Sequence, residues 1–162
     1  MNSKKITLIA LLAAIALIFG YIESLFPIPL PIPGIKLGLG NIVILTALYI
    51  FNFRTSVLIM FIKVLLSALL FSTPSAFIYS FAGGLVSLLI MALMKKLKFN
   101  IICTSMGGGI SHNIAQLTCA ALILTNINFF YYLPILIIAG SIVGTIVGIV
   151  SKIIIRRVSA ML

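Results

Sequence analysis

Six apolar runs occupy most of the chain, separated by short polar or turn-forming breaks. The first covers residues 6–22 and follows Lys4 and Lys5. It imitates a signal peptide in its charged start, but it is long for one, and Tyr21-Ile22-Glu23-Ser24 offers no small-residue cleavage site. It reads as a retained span. The second run covers 37–51 and turns at Asn52-Phe53-Arg54; the third covers 55–71 and turns at Ser72-Thr73-Pro74-Ser75. The fourth covers 76–94 and ends in Lys95-Lys96-Leu97-Lys98. The fifth covers 101–125 and the sixth 131–155, with Asn126-Ile127-Asn128 between them. Lipid offers a backbone no outside partners, so apolar runs of this length are expected as helices. The second and third lie near the lower limit of about 17 residues for a span. The pattern predicts an all-α integral membrane bundle of six helices, a single domain over 1–162.

Residues 27–34 follow a different rule. Pro27, Pro29, Pro31 and Pro33 stand at alternate positions before Gly34, which forbids helix and favours an extended, stiff segment. Such a segment is expected at the outer surface, or folded back as a cap over the bundle.

Composition agrees with the pattern. Hydrophobic residues make up 63% of the chain and charged ones only 7%, against about 25% in a soluble domain. Eleven Lys and Arg face a single acid, Glu23, for a net charge of +10. In a soluble protein that balance suggests nucleic acid. Here the cations sit in short clusters between apolar runs, so they read as topology and as contacts with anionic lipid headgroups, and nucleic acid is not an expected partner. With the N-terminus inside, Lys4, Lys5, Arg54, Lys95, Lys96, Lys98, Lys152, Arg156 and Arg157 all fall on the cytoplasmic side. The outer loops then carry Glu23 and Lys36, and both termini are cytoplasmic. Tyr21, Tyr79, Tyr131 and Tyr132 fall near the outer interface, where amphipathic rings prefer to lie. Cys103 and Cys119 share one run; on one helix they stand roughly 24 Å apart, too far for a bridge.

Few residues are left to carry chemistry. Lys63 lies eight residues past Thr55, roughly 12 Å of helix rise from the cytoplasmic end. A lysine at that depth costs about 3 kcal/mol or more, so it is expected to turn inward, to hold an anionic ligand or to pair with Glu23. The fifth run holds Ser111, His112, Asn113 and Gln116. His112 and Gln116 are four apart and share a helix face; hydrogen-bonding side chains in lipid need partners and should also point inward. A lone histidine with no second ligand nearby gives no metal site. Gly107-Gly108-Gly109 permits close backbone approach or an unwound stretch, and no Lys-Ser/Thr follows to make a phosphate loop. Lys36 is expected at the outer mouth and Asn41 just inside the membrane, beside Gly38 and Gly40. In the first run Ala10 and Ala14 stand one turn apart, a spacing that lets another helix approach closely. That helix belongs either to this bundle or to a separate subunit.

Tyr21-Ile22-Glu23-Ser24, residues 31–41 (PIPGIKLGLGN), Phe81-Ala82-Gly83-Gly84 and His112-Asn113-Ile114-Ala115-Gln116 together resemble one small membrane family, labelled heptaprenyl diphosphate synthase component I or Gx transporter. The resemblance covers nearly the whole chain; Gly40 departs from it, at a position where alanine is expected. That family is in turn similar to the substrate-binding S components of energy-coupling factor (ECF) importers. Those have six helices, cytoplasmic ends and an Ala-x-x-x-Ala motif on the first helix that docks on a transmembrane coupling subunit; Ala10 and Ala14 match it. The resemblance implies a bacterial plasma-membrane subunit that binds a small vitamin-like or anionic solute from outside. The expected site is Lys36, Asn41, Lys63, His112, Asn113 and Gln116. ATP is expected to be used only by separate cytoplasmic ATPases, and no cofactor is expected on this chain. The synthase label implies an alternative, an accessory membrane subunit in isoprenoid and quinone synthesis; a flavin- or quinone-handling redox component is a further one. The chain itself is not expected to be an enzyme, because prenyl synthases need paired Asp-rich motifs for Mg²⁺ and this sequence has no Asp and one Glu.

Overall fold

The computed structural model describes residues 3–25 and 38–160. The proline-rich segment and Lys36 lie outside the described residues. Among those described, six α-helices and one 3₁₀ turn make up the ordered elements: α1 Ser3–Leu25, α2 Asn41–Ile50, α3 Phe53–Phe71, α4 Pro74–Lys96, α5 Ile101–Ile123, the 3₁₀ turn Ile127–Tyr132, and α6 Leu133–Ser159.

The breaks between runs act as caps. Asn52 accepts a hydrogen bond from the Thr55 N–H at 2.9 Å, and Asn100 accepts one from Cys103 at 2.7 Å, so each asparagine opens a helix by satisfying a first-turn donor. Thr73 does the same for α4, with Pro74 in the first helical position, where its missing N–H costs nothing. Lys98 and Thr125 adopt left-handed backbone just past α4 and α5, with φ of 63° and 47°. The N–H groups of Phe99 and Asn126 then reach back to the Met94 and Ala121 carbonyls and close the helix ends.

Hydropathy misreads one element. The run over 37–51 yields a helix of ten residues, about 15 Å long, half of a bilayer's hydrocarbon thickness. Gly38, at φ +83°, and Gly40 break the run before Asn41. Residues 42–48 of α2 are all buried, as befits a helix that is apolar all round. It packs on α1, α3, α4 and α6 at the centre of the bundle. Polar groups fix it there. The Lys95 ammonium donates to the Leu48 carbonyl at 2.6 Å and lies 4.8 Å from the centroid of the Tyr49 ring, closing the helix's C-terminal end. Ser151 of α6 donates to the Ile42 carbonyl at 3.3 Å.

Around α2 the other helices pack as neighbours, α1 on α3, α3 on α4, α4 on α5 and α5 on α6. The main apolar core joins Ile44, Leu45 and Leu48 of α2 to Met60, Leu88 and Val147; a second core joins Ala13 and Ala16 of α1 to Val43, Ala47 and Ile59. Four stretches are long and apolar enough to cross a membrane: Ile6–Leu25, Phe53–Phe71, Pro74–Lys96 and Ile127–Val158. Their outward faces carry bare apolar side chains such as Leu69, Leu70 and Ile138, which require lipid around them. The protein is a multi-pass membrane protein.

The three glycines of α5 leave its helix unbroken, so they serve close approach and not unwinding. A Cβ on Gly109 would meet the Gly140 carbonyl oxygen at 2.5 Å, and one on Gly144 the Met106 Cα at 2.8 Å. Gly140, Gly144 and Gly148 repeat every four residues along α6 and bring its backbone against that of α5.

Candidate functional site

Asn41, Lys63, Ser67, His112, Asn113 and Gln116 line two small cavities that share Gly38, Asn41 and His112. The first, about 60 Å³, lies between α4, α5, α6 and the start of α2; Asn113 lines it. The second, about 30 Å³, lies between α1, α3, α4 and α5, and its walls include Glu23, Lys63, Ser67 and Gln116. At about 10–15 Å³ per water, they have room for roughly five and two waters. A pocket for a whole drug-sized ligand is about 300–1,000 Å³, so the helices must part to admit even a ring-sized head.

Helix rise places the site at depth. Asn41 stands nine residues from the Ile50 end of α2, and Lys63 ten residues into α3, each about 15 Å from its cytoplasmic end. Asn41 is therefore near mid-membrane, deeper than its expected place just inside the outer surface, because α2 is short. His112 stands eleven residues into α5, at a similar depth.

Lys63 turns inward and is half-buried. Its ammonium occupies the space that a side chain at residue 40 would take: a Cβ on Gly40 would lie 2.6 Å from both Cε and Nζ. Glycine at this position thus leaves room for the lysine. That puts a cation beside the N-terminal end of α2, which is itself positive. The chain's one acid shares this cavity. Glu23 is 4% exposed, within α1 and not in an outer loop as its place in the sequence implied. Its carboxylate accepts a hydrogen bond from the Gly38 N–H.

The α5 cluster divides between the two cavities. Asn113 is turned to α6 and donates from Nδ2 to the Leu136 carbonyl at 2.9 Å, which ties the helices together. His112 lines both cavities, whereas Gln116 lines the second alone. Gln116 is 6% exposed, and neither its amide oxygen nor its amide nitrogen has a hydrogen-bond partner; the Ser67 hydroxyl is buried in the same condition. Sequence reading missed Ser67, although it stands four residues after Lys63, on the same face of α3. Among the described residues no three His, Cys, Asp or Glu side chains gather as metal ligands.

A larger cavity, about 310 Å³, lies where α5 meets the 3₁₀ turn, lined by Leu122, Ile127 and Phe130 among others. None of the expected site residues that are described lines it; of its polar groups, Thr118 donates to the Ile114 carbonyl and Asn126 caps the turn.

On α1, Ala10 and Ala14 are both exposed, while Ala13, Ala16 and Gly20 form the buried side. Packing among the described residues therefore does not use the Ala10–Ala14 pair.

Comparisons with known proteins bear on this geometry. The family model described as "Heptaprenyl diphosphate synthase component I" matches residues 12–154. No curated protein matches the sequence. Among solved structures, the S component of a bacterial ECF transporter superposes with a TM-score of 0.70 at 24% identity, over 99% of this chain and 98% of that one. The fold is that of an S component.

Proposed function

Because the chain belongs to the heptaprenyl diphosphate synthase component I family and folds as an S component does, we propose that it is the solute-binding membrane subunit of an ECF-type importer. The observation that carries this reading is the convergence of Asn41, Lys63, His112 and Gln116, from three helices, on adjoining cavities deep in the bundle. Polar groups at that depth are costly, and a bundle needing only structural glue would not leave the buried Gln116 carboxamide without a partner. A solute enters from outside, is held among these side chains, and passes inward when a partner complex moves the subunit. The residues bind and orient; the chain catalyses no reaction. A transmembrane coupling subunit docks on the bare Ala10–Ala14 face of α1, where small side chains permit close helix approach. Energy comes from ATPases bound to that subunit in the cytoplasm.

Native mass spectrometry of the gently purified protein tests the reading. It predicts a retained small molecule, lost or reduced at least tenfold in Lys63→Met. Its complete absence from wild-type protein under conditions that preserve bound lipid would remove the proposal.

The family's description favours a second reading, in which the chain anchors a soluble prenyl synthase to the membrane. Glu23, the one acid, is buried, so the diphosphate-binding metal would have to be held by the partner. A pull-down that recovers an Asp-rich soluble synthase in place of a coupling subunit would decide for this alternative.

A further inference from the structure

We infer that the solute of this site carries a neutral amide or ureide edge, a hydrogen-bond donor beside an acceptor on a flat head group, and that Gln116 reads it. The inference rests on the solute-binding reading above and names the chemical class of what is bound.

Gln116 is more than nine-tenths buried, and both ends of its carboxamide are without partners at the cavity they line. A buried polar group with no partner is costly, and the cost is relieved only by a group that satisfies it. A carboxamide presents a donor and an acceptor side by side. A phosphate or carboxylate would satisfy the NH₂ and set negative charge against the carbonyl oxygen. An ammonium would satisfy the oxygen and leave the NH₂ bare. An amide or ureide edge meets both at once, through two parallel hydrogen bonds.

The neighbours hold the reader in place. A Cβ on Gly83 would stand 2.7 Å from the Gln116 Cγ, so the glycine provides the slot in which the stem lies. The buried Ser67 hydroxyl, also without a partner, gives a third polar contact in the same cavity. A site built to hydrogen-bond an edge rejects analogues that lack it, because its own groups are then left bare.

The test compares wild type, Gln116→Leu and Gln116→Glu in detergent. The probes are uracil, which has the edge, and 1,3-dimethyluracil, which has lost its N–H donors; native mass spectrometry identifies any retained solute. The expected result is a rise in melting temperature with uracil and not with its dimethyl form. Gln116→Leu should lose that response and retain the natural solute at least tenfold less. Its empty form should melt at or above the wild-type temperature, since leucine fills the slot without a bare amide. Gln116→Glu should also weaken retention at least tenfold, as the donor is gone. If the probes prove too small to be held, the retained solute decides: an amide or ureide group in it, lost with Gln116→Leu, supports the inference. Equal response to both probes, undiminished retention in Gln116→Leu, or a retained solute lacking such an edge overturns the inference and leaves solute binding intact. No retained solute and no probe binding overturns both.

Discussion

Two stripes of small residues run through this molecule at the same spacing, and they face opposite ways. On α6, Gly140, Gly144 and Gly148 press on the backbone of α5, closely enough that an added Cβ at Gly144 would meet the Met106 Cα at 2.8 Å. On α1, Ala10 and Ala14 lie exposed, and among the described residues no helix covers them. Spacing states that something can come close; it does not state what. The inward stripe gives up side chains for a close fit between two long helices. The outward stripe offers the same closeness to a partner, which is why a docking role falls to α1.

The contrast can be broken at either stripe. Gly144→Leu should have the largest effect, because the new side chain meets backbone that cannot move aside. A loss of about 3 kcal/mol or more, or no folded protein, is expected from thermal unfolding in detergent. Asn113→Ala should cost about 1 kcal/mol in the same measurement, the worth of its bond to the Leu136 carbonyl. Gly40→Ala should cost less, since the flexible end of Lys63 can give way. Its signature is a changed solute affinity, read by retention in native mass spectrometry, from a displaced ammonium. Ala10→Leu with Ala14→Leu should change stability by no more than about 0.5 kcal/mol, as expected for exposed positions, while abolishing co-purification with a coupling subunit. A large stability loss from that pair would mean that the two stripes do the same job after all.

Much of this was legible in the sequence, for identifiable reasons. Lys63 and the His112–Gln116 pair announced themselves because polar side chains are expensive in lipid and turn inward whatever the fold. The break read at Asn52-Phe53-Arg54 falls where α3 begins, and the Asn52 side chain caps its first turn. The errors came where local pattern and tertiary context disagree. The run over 37–51 has the hydropathy of a span, yet its glycines and Asn41 mark a late helix start, and surrounding helices make a short buried rod possible. Glu23 looked like a loop residue because it is charged; its burial depends on Gly38, fifteen positions away and close only in the fold. Asn113 lines the first cavity, but that its amide also ties α5 to the Leu136 carbonyl depends on the position of α6, which the sequence does not give. The glycine repeat on α6 went unread, and nothing in one dimension names α5 as its opposite wall. Lys36 lies outside the described residues.

The ten-residue length of α2 has a mechanical consequence. Its far end carries Asn41 at the cavities, and its near end is clasped to α4 by Lys95 on the Leu48 carbonyl. A helix that short does not bend appreciably, so the two ends travel together as a strut about 15 Å long. A push delivered to the rim at Lys95 reaches Asn41 undiminished, with no chain of intermediate side chains to relay it.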